Sequence, residues 1–119
     1  MTVDILGSKY EILYKNYDEE ESFKRCGICG FCEALTRKIV ICNMDTFAGW
    51  EHESEKRKRA EEKLSLRHEI VHAFFNESGL CSDAHRPDGS FALDEELVDW
   101  IAQQGPKIYK AWESAKCLP

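Results

Sequence analysis

The sequence predicts an α+β fold: a small antiparallel sheet of three to four strands packed on one long helix and one or two C-terminal helices. Three observations carry this expectation. The N-terminal third alternates apolar and polar residues in short runs, as half-buried strands do. Residues 51–78 contain neither proline nor glycine and are rich in helix formers. A stretch carrying Pro87, Asp88, Gly89 and Ser90 then separates that helix from a second run opening on Asp94, a good helix cap. With 119 residues and 43% apolar content, the chain has the material for one hydrophobic core, so residues 1–119 are expected to form a single domain.

In order along the chain, Val3-Asp4-Ile5-Leu6 and Tyr10-Glu11-Ile12-Leu13-Tyr14 read as two strands of a hairpin, with Gly7-Ser8 as turn residues. Residues 18–24 form an acidic connection. Phe31 to Glu33 and Arg37 to Cys42 are a second extended pair, and Ile39-Val40-Ile41 is the most β-prone run of the chain. The helix over residues 51–78 stops at Gly79, and its charged first half is expected to project into water or break away from the apolar second half, where Leu64, Val71, Phe74 and Phe75 pack. Residues 81–92 read as a loop. A helix over residues 95–104 is expected to end at Gly105-Pro106, with a last short helix over residues 107–115, because proline suits a helix start better than its interior.

The net charge of −6 argues against nucleic acid or an anionic membrane as a partner, since both repel an acidic surface. The basic run Lys56-Arg57-Lys58-Arg59 sits among Glu51, Glu53, Glu55, Glu61 and Glu62, the composition of a solvated helix with compensating charges. The start of the chain lacks the basic and apolar regions of a secretory signal, and no run is long enough to span a bilayer, so the expected location is the cytoplasm.

Chemistry concentrates in His68-Glu69-Ile70-Val71-His72. Two histidines four residues apart on a helix project from one face about one turn apart, the spacing a zinc ion needs from a rigid element. Glu69 follows the first histidine directly, where it can accept the proton of an attacking water. A third ligand should come from a second element, and Glu95 is the leading candidate. Asp99 lies on the same face, one turn on, and can accept the outer N–H of a ligating histidine. Glu96, adjacent to Glu95, and His85, in the expected loop, are the alternatives for the third ligand. His85, Arg86 and Tyr109 are the available donors to an oxyanion.

The pattern H-E-x-x-H followed on the next helix by E-x-x-x-D resembles the gluzincin-type zinc metallopeptidases, with His68, Glu69, His72, Glu95 and Asp99 at the matching positions. More closely, Leu66-Arg67-His68-Glu69-Ile70-Val71-His72-Ala73-Phe74-Phe75 and Glu95-Glu96-Leu97-Val98-Asp99-Trp100-Ile101-Ala102 look like a group of small metallopeptidases of bacteriophages and prophages. The resemblance is strong over the second half of the chain and loose over the first. It implies a minimal zincin-like fold, one catalytic Zn2+, and a hydrolase acting on a peptide or protein substrate, with Glu69 as base and His68, His72 and Glu95 as ligands. Two other readings stand beside it: a zinc-stabilised phage binding or regulatory module without turnover, and a repressor-cleaving peptidase of the ImmA/IrrE type.

Cys26, Cys29, Cys32 and Cys42 suggest a second, structural metal. The run Cys26-Gly27-Ile28-Cys29-Gly30 resembles half of a zinc knuckle, in which the glycine permits the turn around sulphur, and Cys32 and Cys42 would complete it across the second hairpin.

Overall fold

The computed structural model describes residues 1–80 and 94–119. They form β1 (Thr2–Ile5), β2 (Ser8–Lys15), a 3-10 turn (Tyr17–Glu19), α1 (Glu21–Cys26), β3 (Gly30–Glu33), β4 (Lys38–Cys42), α2 (Glu55–Glu77) and α3 (Glu95–Ser114). The expected loop over residues 81–92, with Cys81, His85 and Arg86, lies outside the described residues.

The fold is α+β, with one four-stranded sheet in the order β1-β2-β4-β3. β1 with β2 and β3 with β4 are antiparallel hairpins, whereas β2 and β4 run parallel, pairing Ile12 with Ile39 and Tyr14 with Ile41. The sheet is therefore mixed where antiparallel pairing throughout was expected. The reason is in β4: Ile39, Val40, Ile41 and Cys42 are all buried, and a strand apolar on both faces belongs in the middle of a sheet. β4 lies between its hairpin partner and β2, and the chain reaches it from β2 by a crossover through α1. That helix occupies part of the expected acidic connection. Phe23 is its buried anchor, and Gly27, at φ 64°, closes it in the left-handed conformation.

The first hairpin turns on Leu6 and Gly7, at φ 52° and 88°, one residue earlier than expected. Positive φ at both positions matches the right-handed twist of the flanking strands. Asp4 Oδ1 accepts the Gly7 N–H at 3.0 Å.

Alternation along the strands divides the core. Ile5, Tyr10, Ile12, Ile39 and Ile41 pack beneath Ala73, Leu66 and Ile70 of α2, while Phe23, Val40, Cys42 and Met44 form a second cluster with Phe31, Phe47 and Trp50. Val71 is only partly buried and Phe74 is exposed, so the packing stripe of α2 runs through Leu66, Ile70 and Ala73 instead.

α2 begins later than expected, at the Ser54 cap, whose hydroxyl accepts the Arg57 N–H at 3.2 Å. Its charged half neither breaks nor projects. Glu62 is buried and accepts the Met44 N–H at 2.9 Å, and Arg59 reaches Asp45 at 2.8 Å. Arg57 pairs with Glu53 at 2.9 Å and stacks over Trp50. At the other end of α2, Glu77 accepts from Ser8 and Tyr10 at 2.9 Å each and from Arg37 at 3.2 Å. These donors, the two hydroxyls first, hold its carboxyl below the usual range.

α3 is one continuous helix packed on α2, with Pro106 inside it, so the expected break and separate last helix are not formed. Proline at 106 removes the N–H that would serve the Ala102 carbonyl. Arg67 of α2 serves it instead, with Nε donating at 2.8 Å. No helix among the described residues is long and apolar enough to cross a membrane.

Candidate metal centre

His68 and His72 stand one turn apart on α2, and their Nε2 atoms approach to 3.0 Å. Asp94 caps α3 by accepting the Glu96 N–H at 2.9 Å, which makes Glu95 the first residue of that helix. From there Glu95 Oε2 comes within 2.9 Å of His68 Nε2, and Oε1 within 3.2 Å of His72 Nε2. One turn later Asp99 Oδ1 lies 2.6 Å from His68 Nδ1.

An ionised carboxylate only accepts, so in the contact with Asp99 the donor is His68 Nδ1, and the Nδ1–H tautomer leaves Nε2 as the free nitrogen of the ring. That nitrogen faces His72 Nε2 and a Glu95 carboxylate oxygen, a set that either a cation or the Nε2–H tautomer of His72 can bridge. Ligands about 2.05 Å from a tetrahedral zinc ion stand about 3.3 Å apart. With Glu95 Oε2 as the third corner, the edges of the triangle measure 2.9, 3.0 and 3.3 Å. Its size and donor chemistry fit such an ion.

The ligand atoms of His68, Glu69 and His72 all lie within 4.8 Å of one another, and this group can hold a metal ion. Within it the carboxylate plays a different part from Glu95. Glu69 Oε1 is 3.9 Å from His68 Nε2, further than Glu95, and Glu69 is buried whereas the Glu95 side chain is 68% exposed. Burial pushes the Glu69 carboxyl up to about 7; His68 opposes the rise, and the Glu95 and Asp99 carboxylates add to it. Gly30 of β3 lies close against Glu69. A β-carbon there would fall 2.9 Å from Ile41 Cδ1, 3.1 Å from the Val40 carbonyl and 3.5 Å from Glu69 Cγ. Gly30, expected to permit a turn around sulphur, instead lets β3 run directly beneath Glu69.

The site opens into a cleft. On one side a hollow of about 390 Å³ is bounded by Ile28, Phe31, Cys32 and Asn76 as well as the two histidines. On the other, a hollow of about 260 Å³ adds Glu61, Leu64 and Ser65. A larger apolar hollow of about 510 Å³ lies between α2 and the far half of α3 and contains neither histidine. Tyr109 lines that one, ten residues and roughly 15 Å of helix beyond Asp99, so it is not placed as an oxyanion donor. Glu96 is exposed on α3, and the carboxylate that approaches the histidine pair is that of Glu95.

The cysteines do not assemble as expected. The pairing of β3 with β4 sends Cys32 to the face covered by α2 and Cys42 to the opposite face. Cys26 is exposed at the end of α1. Among the described residues, the group that brings three metal-ligating side chains together is the one on α2. Cys29 and Cys42 stand opposite each other, the Cys42 N–H donating to the Cys29 carbonyl at 2.8 Å, and burial pushes both thiols up to about 11. They behave as small core hydrophobes.

Gly30 and Arg67 carry no signal in the sequence, because their partners are remote along the chain and neither residue type marks a site alone. Comparison with known proteins adds no family to this centre: no protein-family model, no curated protein and no solved structure matches the chain.

Proposed function

We propose that the chain is a zinc-dependent hydrolase, a metallopeptidase of the gluzincin type, in which His68, His72 and Glu95 hold the ion, Glu69 is the general base and Asp99 orients His68. The observation that carries this reading is the triangle of two imidazole nitrogens and a carboxylate beside a separate, buried carboxylate. A zinc ion bound by those three side chains supplies Lewis-acid chemistry, polarising a carbonyl and making water acidic. Glu69, shielded from solvent, accepts the proton of the attacking water and returns it to the leaving nitrogen. Asp99 holds the His68 Nδ1–H, so Nε2 stays a donor of its lone pair throughout.

A peptide is favoured as substrate by β3. It is an edge strand of the sheet, and Gly30, Phe31 and Cys32 border the cleft. An extended chain laid along that edge can complete the backbone hydrogen bonds of β3 while a peptide bond rests at the site.

The test is metal analysis combined with hydrolysis of a mixed peptide library. About one zinc per chain is expected, lost in His72→Ala. Glu69→Gln should retain the metal and abolish hydrolysis. Metal content unchanged by His72→Ala overturns the site, and full hydrolysis by Glu69→Gln overturns the role of the base.

A further inference from the structure

The histidines belong to α2, while Glu95 and Asp99 belong to α3, so the centre exists only at one register of the two helices. They run antiparallel, and the pairings Arg67 with Ala102, His68 with Asp99, and His72 with Glu95 follow in sequence along the contact. Sliding α3 by a single residue is a displacement of about 1.5 Å, enough to separate groups that touch at about 3 Å. Val98 and Ala102 are the buried residues of α3, and their apolar contacts are less directional than a hydrogen bond.

A directional device at this contact is the Ala102 carbonyl. Pro106 leaves it without an intrahelical donor, so an external one is needed at one axial position on α3. Arg67 Nε meets it at 2.8 Å, from the residue immediately before His68. We propose that Arg67 is a positioning residue that sets the register of α3 on α2 and so delivers Glu95 and Asp99 to the histidine pair; this rests on the metal-centre reading above. Pro106 creates the vacant acceptor and Arg67 fills it. The pair acts as a lock placed one turn past Asp99.

The experiment compares Arg67→Ala, Arg67→Lys and the double variant Arg67→Ala/Pro106→Ala. In zinc-free protein, the His68 Nδ1–H held against Asp99 should give a slowly exchanging downfield proton resonance. Arg67→Ala should lose it and bind zinc at least tenfold more weakly in chelator competition. Arg67→Lys, which can still donate to the carbonyl, should keep the resonance and most of the affinity. In the double variant the Pro106→Ala change returns an N–H to the Ala102 carbonyl, so thermal stability should recover while the resonance and the affinity do not. Retention of both in Arg67→Ala, or their recovery in the double variant, would show that Arg67 is merely structural and overturn the proposal. If wild-type protein binds no zinc, the metal reading fails, and the zinc-free resonance still decides the register.

Discussion

Replacing Asp99 tests the tautomer argument at its source. Its contact with His68 Nδ1 is 2.6 Å, at the short end for an N–H donor and a charged acceptor. Such bonds contribute about 1.5–3 kcal/mol. The Asp99 side chain is 55% exposed, so the lower end applies. About 1.5 kcal/mol corresponds to roughly a tenfold change in an equilibrium constant. Asp99→Ala is therefore expected to weaken zinc binding about tenfold, at the lower edge of the range for removing a partner of a ligating histidine. Asp99→Asn keeps an acceptor and loses the charge, which halves the energy and leaves a loss of about threefold. Chelator competition at fixed pH and ionic strength measures both. Zinc affinity within twofold of wild type in Asp99→Ala would refute the reasoning, as would an Asn variant weaker than the Ala variant.

Gly30→Ala should cost about 1–3 kcal/mol in urea unfolding, because its methyl group meets the Val40 backbone carbonyl, which cannot turn aside. Leu6→Gly should raise stability by about 1 kcal/mol, since a leucine held at positive φ carries that strain and its side chain is largely exposed; differential scanning calorimetry reads the shift. The buried Tyr10 hydroxyl, raised to about 12 by burial and by the Glu77 carboxylate, favours the folded state in its neutral form. Its contribution is full below about pH 10 and is lost as pH rises towards 12. Tyr10→Phe should flatten the fall in urea stability over that window, and an unchanged slope contradicts the assignment.

The parts of this molecule legible in its sequence are those set by short-range periodicity and by side-chain chemistry. His68 and His72 share a face because a helix has 3.6 residues per turn, and the same rule puts Glu95 and Asp99 together on α3. The hairpins and the α+β class follow from alternation and turn residues. Longer-range facts are hidden for physical reasons. The parallel pairing of β2 with β4 depends on which strand takes the centre, and the unbroken apolar run of residues 39–42 is its local trace. The continuity of α3 through Pro106 depends on a donor from Arg67, 39 positions away. The docking of the charged half of α2 depends on Glu62 finding the Met44 N–H, and a buried glutamate looks in sequence like any solvated one. The cysteines resemble a metal set in one dimension because strand alternation parts Cys32 from Cys42 only once β3 and β4 are paired.

The two buttresses of α2 have a mechanical consequence. Glu62 fastens the helix to the loop after β4, and Glu77 fastens it to the hairpin of β1 and β2. The fastenings lie about 22 Å apart along the axis, with His68, Glu69 and His72 at midspan. A beam supported at both ends cannot fray inward, so the amides of that span should exchange with solvent only when the whole domain opens. α3 rests on α2, and beyond Asp99 the bond from Arg67 and the burial of Ala102 hold it there. The histidines and Glu69 thus sit on the doubly fastened helix, and the shape of the site is set by how α3, which carries Glu95 and Asp99, seats on it.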